Sequence, residues 1–169
     1  MTRYLFVFAA LMVALFVFQL SPWGQEYLVL PFTGLIAQLS AWFLQLWDPQ
    51  VLAHGKIIWN AENQFAMSIE AGCNGVEAGI ILISAMLAFP AHWKDKVLGI
   101  LLGNLTVQAI NLARVVSLFY LGQWDKTLFE WAHLYVWQAL IMLDVLIVFI
   151  LYLRHLARRE EGAAHAATG

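Results

Sequence analysis

Glu70-Ala71-Gly72-Cys73-Asn74-Gly75-Val76-Glu77 is the stretch on which the reading of the chain turns. It carries the only cysteine and stands directly before Ile80 to Phe89, an apolar run with the character of a membrane helix. A polar, glycine-containing loop opening such a helix places Cys73 close to a membrane surface. Asn74 suits the N-cap, and Glu77, three residues on, can reach back to it as in a capping box. The positive end of the helix dipole then favours a thiolate at Cys73. A lone cysteine among apolar residues is commonly packing, yet packing alone does not ask for Gly, Asn, Gly and Glu beside it.

Composition gives the class. The chain has 169 residues, 62% hydrophobic and 12% charged, with a mean hydropathy of +0.73. Soluble domains carry about 25% charged residues, so this is an all-α integral membrane protein. One cysteine excludes an intramolecular disulfide framework and any multi-cysteine metal site. There is no internal repeat, low-complexity tract or glycine-rich phosphate loop. A single membrane-embedded domain over 1–160 is expected, with 161–169, rich in small residues, as a disordered tail.

Outward from the cysteine, the segments sort by polarity. Tyr4 to Leu20 is an unbroken apolar run after Arg3, closed by Ser21-Pro22. It reads as a retained first span, since no small-x-small cleavage site follows it. Tyr27 to Trp47 is apolar but interrupted by Pro31, Thr33, Gly34, Gln38, Ser40 and Gln45, which suits either a span or a helix lying in the interface. Lys56 to Ile69 reads as strand, turn, strand, a short hairpin leading into Cys73. Val76 to Phe89 is a second span, Val97 to Leu118 a third and Leu134 to Leu153 a fourth, with Gly122 to Glu130 as a loop. In the third span Asn104, Gln108, Asn111 and Arg114 share one face, and such a stripe turns toward other helices or a wet cavity. Asp144 falls near the depth of this stripe and of Ser84, and is expected in a buried hydrogen-bond network.

Charge placement orients the spans. Arg3, Lys94, Lys96, Arg154, Arg158 and Arg159, six of the nine basic residues, fit the cytoplasmic side, with both termini. The Cys73 loop then faces outward. An even number of crossings before Lys94 leaves Tyr27 to Trp47 as an outer-face interfacial or re-entrant helix. His92, His155 and His165 fall on the cytoplasmic side, while Arg114, His133 and His54 remain at the level of Cys73.

A thiol, an imidazole and a guanidinium at one plane suit nucleophilic acyl transfer. Cys73 would attack a carbonyl, His133 would move the proton, and Arg114 would hold the oxyanion or a substrate carboxylate through its fixed fork. Glu70 and Glu77 flank the cysteine and could pair with Arg114 or orient His133. Asn111 would help position the site, and His54 is an alternative base. Each has a plainer reading too: Arg114 as a snorkelling side chain, His133 as an interfacial one, Glu77 as a cap.

Gly72-Cys73-Asn74-Gly75 opening a span, Asn111-Leu112-Ala113-Arg114 at the end of the next, and His133 opening the one after together resemble the exosortase/archaeosortase family of membrane cysteine transpeptidases. The short chain and Asn74 after the cysteine look most like exosortase H. The resemblance covers roughly Ser68 to Tyr135. It implies Cys73 as nucleophile, Arg114 as oxyanion stabiliser and His133 as general acid/base, with Asn74, Gly75, Glu77 and Asn111 in support. It implies secreted substrates ending in an Ile-Pro-Thr-Leu-type motif, a transmembrane helix and a basic cluster, processed at the outer face of a bacterial inner membrane. The expected partners are those substrates, membrane lipids and an amine-bearing acyl acceptor, with no nucleic acid, cofactor or metal. Two other readings stand beside it: a thiol protease that keeps the same residues but ends in water, and a non-enzymatic subunit of a membrane complex in which Asp144 and the Asn104 stripe hold helices together. A redox role is disfavoured, because no resolving cysteine exists.

Overall fold

Helix α1, Thr2–Leu20, is the first apolar run. It stops where Ser21 caps the next helix, its hydroxyl accepting from Gly24 N–H at 3.0 Å with Pro22 in the first turn. In this computed structural model the backbone of residues 2–168 and the side chains of residues 2–162 are described. The expected disordered tail, 161–169, lies almost wholly outside the described side chains.

After α1 the chain runs through α2, Pro22–Gly24, a π-helical turn at Gln25–Val29, and α3, Leu30–Leu44. Together Pro22–Leu44 is long and apolar enough to cross a membrane. Its neighbours lie at one end of the bundle: Gln25 bonds back to the Gln19 carbonyl at 2.8 Å, Thr33 meets Asn74, and Trp47, just beyond α3, donates to Tyr120. The helix therefore climbs beside the Cys73 end rather than returning to the opposite one.

The segment before Cys73 has three strands where two were expected. β1, Val51–His54, β2, Ile57–Asn60, and β3, Ala66–Ser68, form an antiparallel sheet in that order. His54 pairs with Ile57, leaving Gly55-Lys56 as a two-residue turn, and Gly55 takes φ 56°, a conformation a hairpin turn requires and glycine supplies. Asn60 holds the next turn, its Oδ1 accepting from the N–H of Glu62 and Asn63.

α4, Val76–Ala88, is only 13 residues long, about 20 Å. It is nonetheless central, packing against α1, α5 (Trp93–Trp124) and α7 (Trp137–Thr168). α5 has 32 residues, about 48 Å, well beyond a hydrocarbon layer of roughly 30 Å. The expected loop from Gly122 to Glu130 is mostly helix. α5 runs on to Trp124, and Asp125 caps α6, Lys126–Trp131, by accepting from Leu128 N–H at 2.8 Å. Asp125 read as a loop residue in sequence because caps and loops use the same side chains.

Two cores result. One joins α4, α5 and α7 through Leu82, Met86, Val107, Val145 and Val148. The other joins α3, the sheet and the last turns of α5 through Leu44, Val51, Ile58, Val115 and Phe119. At the end away from Cys73, Tyr4 lies edge-on to Phe89 with ring centroids 6.1 Å apart, and Arg159 pairs with Asp95. The segments bearing Arg3, Lys94, Lys96 and the arginines of α7 thus share one end of the molecule. The expected network around Asp144 does not form. Asp144 and Ser84 are buried, each with a side-chain oxygen lacking a partner, and Asn104 bonds to the carbonyl of Ile100 in its own helix.

Candidate active site

Cys73 stands on a loop held from three sides. Its own N–H donates to the Glu70 carbonyl at 3.0 Å. Gly72 and Gly75 on either side take φ 83° and 74°, left-handed backbone that β-carbon-bearing residues resist. Gly75, not Asn74, is the N-cap of α4. Asn74 is fully buried and crosslinks the loop. Its Oδ1 accepts from Val76 N–H at 3.1 Å, and its Nδ2 donates to Thr33 of α3 at 3.0 Å. The expected capping box is replaced by a wider link. Glu77 reaches past Asn74 to accept from Gly72 N–H at 3.0 Å, and the same oxygen accepts from Gln19 of α1 at 2.9 Å.

The polar stripe of α5 faces this loop. Gln108 donates to the Gly75 carbonyl at 3.3 Å, and Asn111, wholly buried, donates to Gln108 Oε1 at 3.4 Å. One turn further, Arg114 donates through Nη1 to the Gly72 carbonyl at 2.9 Å and through Nη2 to Cys73 Sγ at 3.5 Å. Arg114 is 2% exposed, so it is no snorkelling side chain. Neither flanking acid pairs with it: Glu70 goes to Lys56 at 2.6 Å, and Glu77 to Gln19 and Gly72. The positive charge is left directed at the sulfur and the carbonyl before it.

His133 arrives from the other side on a π-helical turn, Ala132–Val136, between α6 and α7. Such turns recur at functional sites because the extra residue rotates a side chain off the regular helical face. Its Nε2 lies 2.7 Å from Cys73 Sγ, and its ring lies near that of Phe129, centroids 5.6 Å apart. His54, the alternative base, is exposed on β1 and does not line the cleft around Cys73. That cleft, about 60 Å³, is bounded by Met67, Ser68 and Ile69 on one side and Phe129 and His133 on the other.

Burial pushes the Cys73 thiol up from its ordinary pKa. Arg114 pulls it down, and the charges of Glu77 and Glu70 push it up again. Desolvation, the largest of these influences, works against the thiolate that a helix N-terminus favours. A neutral thiol in contact with an imidazole, with a guanidinium alongside, can give its proton to nitrogen as the sulfur attacks.

The arrangement also depends on three residues that sequence reasoning did not place at the site. Gln19 is the one amide in α1, a signal available at the end of that apolar run. Thr33 showed only as a polar interruption of its segment, because its partner Asn74 is distant in the chain, and Phe129 carried no signal of its own. A family model described as transmembrane exosortase matches residues 2–159. The chain belongs to the transmembrane exosortase family. No curated protein and no solved structure matches it. For this exosortase, membership and the long apolar helices together indicate a multi-pass membrane protein. Membership also brings the coarse function with it, processing of other proteins by a membrane transpeptidase.

Proposed function

We propose that this exosortase is a cysteine transpeptidase whose nucleophile is Cys73, general acid/base His133 and oxyanion stabiliser Arg114. The observation that carries the reading is the 2.7 Å contact between Cys73 Sγ and His133 Nε2, with Arg114 Nη2 on the same sulfur. Sγ attacks the scissile carbonyl while its proton passes to Nε2, and the oxyanion forms beside the guanidinium. Collapse breaks the C–N bond, His133 returns the proton to the departing amine, and a thioester remains on Cys73. An acceptor amine then attacks the thioester, His133 takes its proton, and the thiol is restored. Asn74, Gly75, Glu77 and Asn111 hold the loop and the guanidinium in place. The substrates are secreted proteins with an Ile-Pro-Thr-Leu-type motif, a transmembrane helix and a basic cluster, as for exosortase H. The clustering of basic residues at the opposite end supports an outward-facing site in a bacterial inner membrane, with cytoplasmic termini. The acceptor is an amine at that surface.

The test is reporter mass in cells co-expressing the chain with a secreted protein bearing such a tail. Wild type should shorten the reporter and leave it heavier than the hydrolysis product. Cys73→Ala, Arg114→Ala and His133→Ala, each verified in the membrane, should leave it intact. Shortening that survives Cys73→Ala would remove the mechanism. A product with the mass of simple hydrolysis would make the protein a thiol protease.

A further inference from the structure

The cleft at Cys73 is too small to enclose a peptide. Its roughly 60 Å³ compares with about 300 Å³ or more for pockets that surround drug-sized ligands. It has room for a reacting carbonyl, and the residues on either side of the scissile bond must lie on open surface. The surface that adjoins it is β3. Met67, Ser68 and Ile69 form one wall of the cleft, and the chain runs from β3 through Glu70 directly into the Cys73 loop.

β3 is an edge. In the order β1-β2-β3 it pairs on one side only, and hydrogen-bond parity fixes which groups are used. Ile69 N–H donates to the Lys56 carbonyl and Phe65 C=O accepts from Asn60 N–H, both at 2.9 Å. With Ile58 opposite Met67, residues 65, 67 and 69 turn their backbone groups toward β2. In an antiparallel ladder the alternate residues, Ala66 and Ser68, turn theirs the other way. Both are small and exposed. Proline, charged side chains and bulges, devices that block an edge, are missing from the three residues of Ala66–Ser68.

Resting on the transpeptidase reading above, we propose that the substrate peptide binds in extended form as a fourth strand on the free edge of β3, pairing with the backbone of Ala66 and Ser68. Strand addition supplies affinity through main-chain hydrogen bonds. The continuity of β3 with the loop then delivers the scissile carbonyl to Sγ, between Arg114 and His133. Much of the recognition is thereby independent of side chains, and the short motif is read by the few residues that reach the cleft.

The experiment compares three alkylators of the lone cysteine in the detergent-solubilised full chain. They are iodoacetamide, a chloromethyl ketone carried on a peptide ending in Ile-Pro-Thr-Leu, and a chloromethyl ketone without the peptide. Wild type should react with the peptidyl ketone at least tenfold faster than with a ketone lacking the peptide. Ala66→Pro removes an N–H that β2 does not use, at the edge residue that does not line the cleft, and proline is tolerated on an edge. It should lower peptidyl labelling at least tenfold while leaving the iodoacetamide rate within about twofold. Peptidyl labelling equal to wild type in Ala66→Pro would overturn strand addition and leave the peptide reading intact. No advantage of the peptidyl ketone in wild type would overturn both. Should Ala66→Pro also lose iodoacetamide reactivity, N-methylation along the peptide decides on the wild-type protein. Loss at every second position supports the pairing, and loss without alternation refutes it.

Discussion

Burying Arg114 without a carboxylate beside it leaves a full positive charge against Cys73, and the thiol is still raised because desolvation is larger. The sign of each substitution follows. Alkylation of Cys73 by iodoacetamide should rise with pH to a midpoint above that of an ordinary cysteine. Arg114→Gln removes the one charge that lowers the thiol and should move the midpoint further up. Glu77→Gln removes a charge that raises it and should move the midpoint down. A single cysteine makes each profile free of background. Arg114→Lys separates charge from geometry. It should keep the midpoint near that of wild type, yet cost about 10²-fold or more in reporter processing, because the fork to Gly72 and the oxyanion is gone. His133→Ala should cost roughly 10²- to 10⁴-fold in processing, whereas His54→Ala, on an exposed strand outside the cleft, should process at the wild-type rate.

At the scale of the element, the glycines separate backbone conformation from space. A methyl group on Gly75 would meet Gln108 Nε2 and also sit on φ 74°, so Gly75→Ala should destabilise by about 1–2 kcal/mol. On Gly79 the nearest atom is Asn104 Oδ1, the far end of a side chain that can turn aside, so Gly79→Ala should cost less. Gly24→Ala is the harsher case. There the methyl would collide with the carbonyl of Phe18 in α1, backbone that has no such freedom. Thermal unfolding in detergent should rank Gly24→Ala and Gly75→Ala below Gly79→Ala. Removing the Asp125 cap should cost about 1 kcal/mol. These elements also show what was legible. Four apolar runs and the Asn104-to-Arg114 stripe were readable from period and hydropathy, because lipid-facing helices carry their environment in their composition. β1 and α6 were not. Val51–His54 is too short to show alternation, and Lys126–Trp131 depends on one cap. At the site, Cys73, Arg114 and His133 stood out by residue type and level. The links through Gln19, Thr33 and Gln108 arise only when α1, α3 and α5 meet one loop.

For the whole molecule, two cores share α5, one with α4 and α7 and the other with α3 and the sheet, and Cys73 packs against the second. The lone cysteine reports sidedness directly. A membrane-impermeant maleimide added to intact spheroplasts should label Cys73 in the wild type. In a Cys73→Ala background it should leave a cysteine at Arg158→Cys unlabelled until the membrane is opened; the reverse pattern would invert the proposed orientation. The unbroken length of α5 adds something else. Asp95 and Arg114 are separated by roughly 19 residues of continuous helix, about 28 Å, close to the roughly 30 Å of a hydrocarbon layer. With Asp95 tied to Arg159 at one end, the length of α5 fixes how far the guanidinium stands from that end. A tail anchored by its own helix would then be read by height as well as by sequence. Three residues inserted between motif and helix lift the scissile bond by about 10 Å. Such a reporter should be processed poorly while its motif stays intact, and equal processing at every spacer length would show that no height is measured.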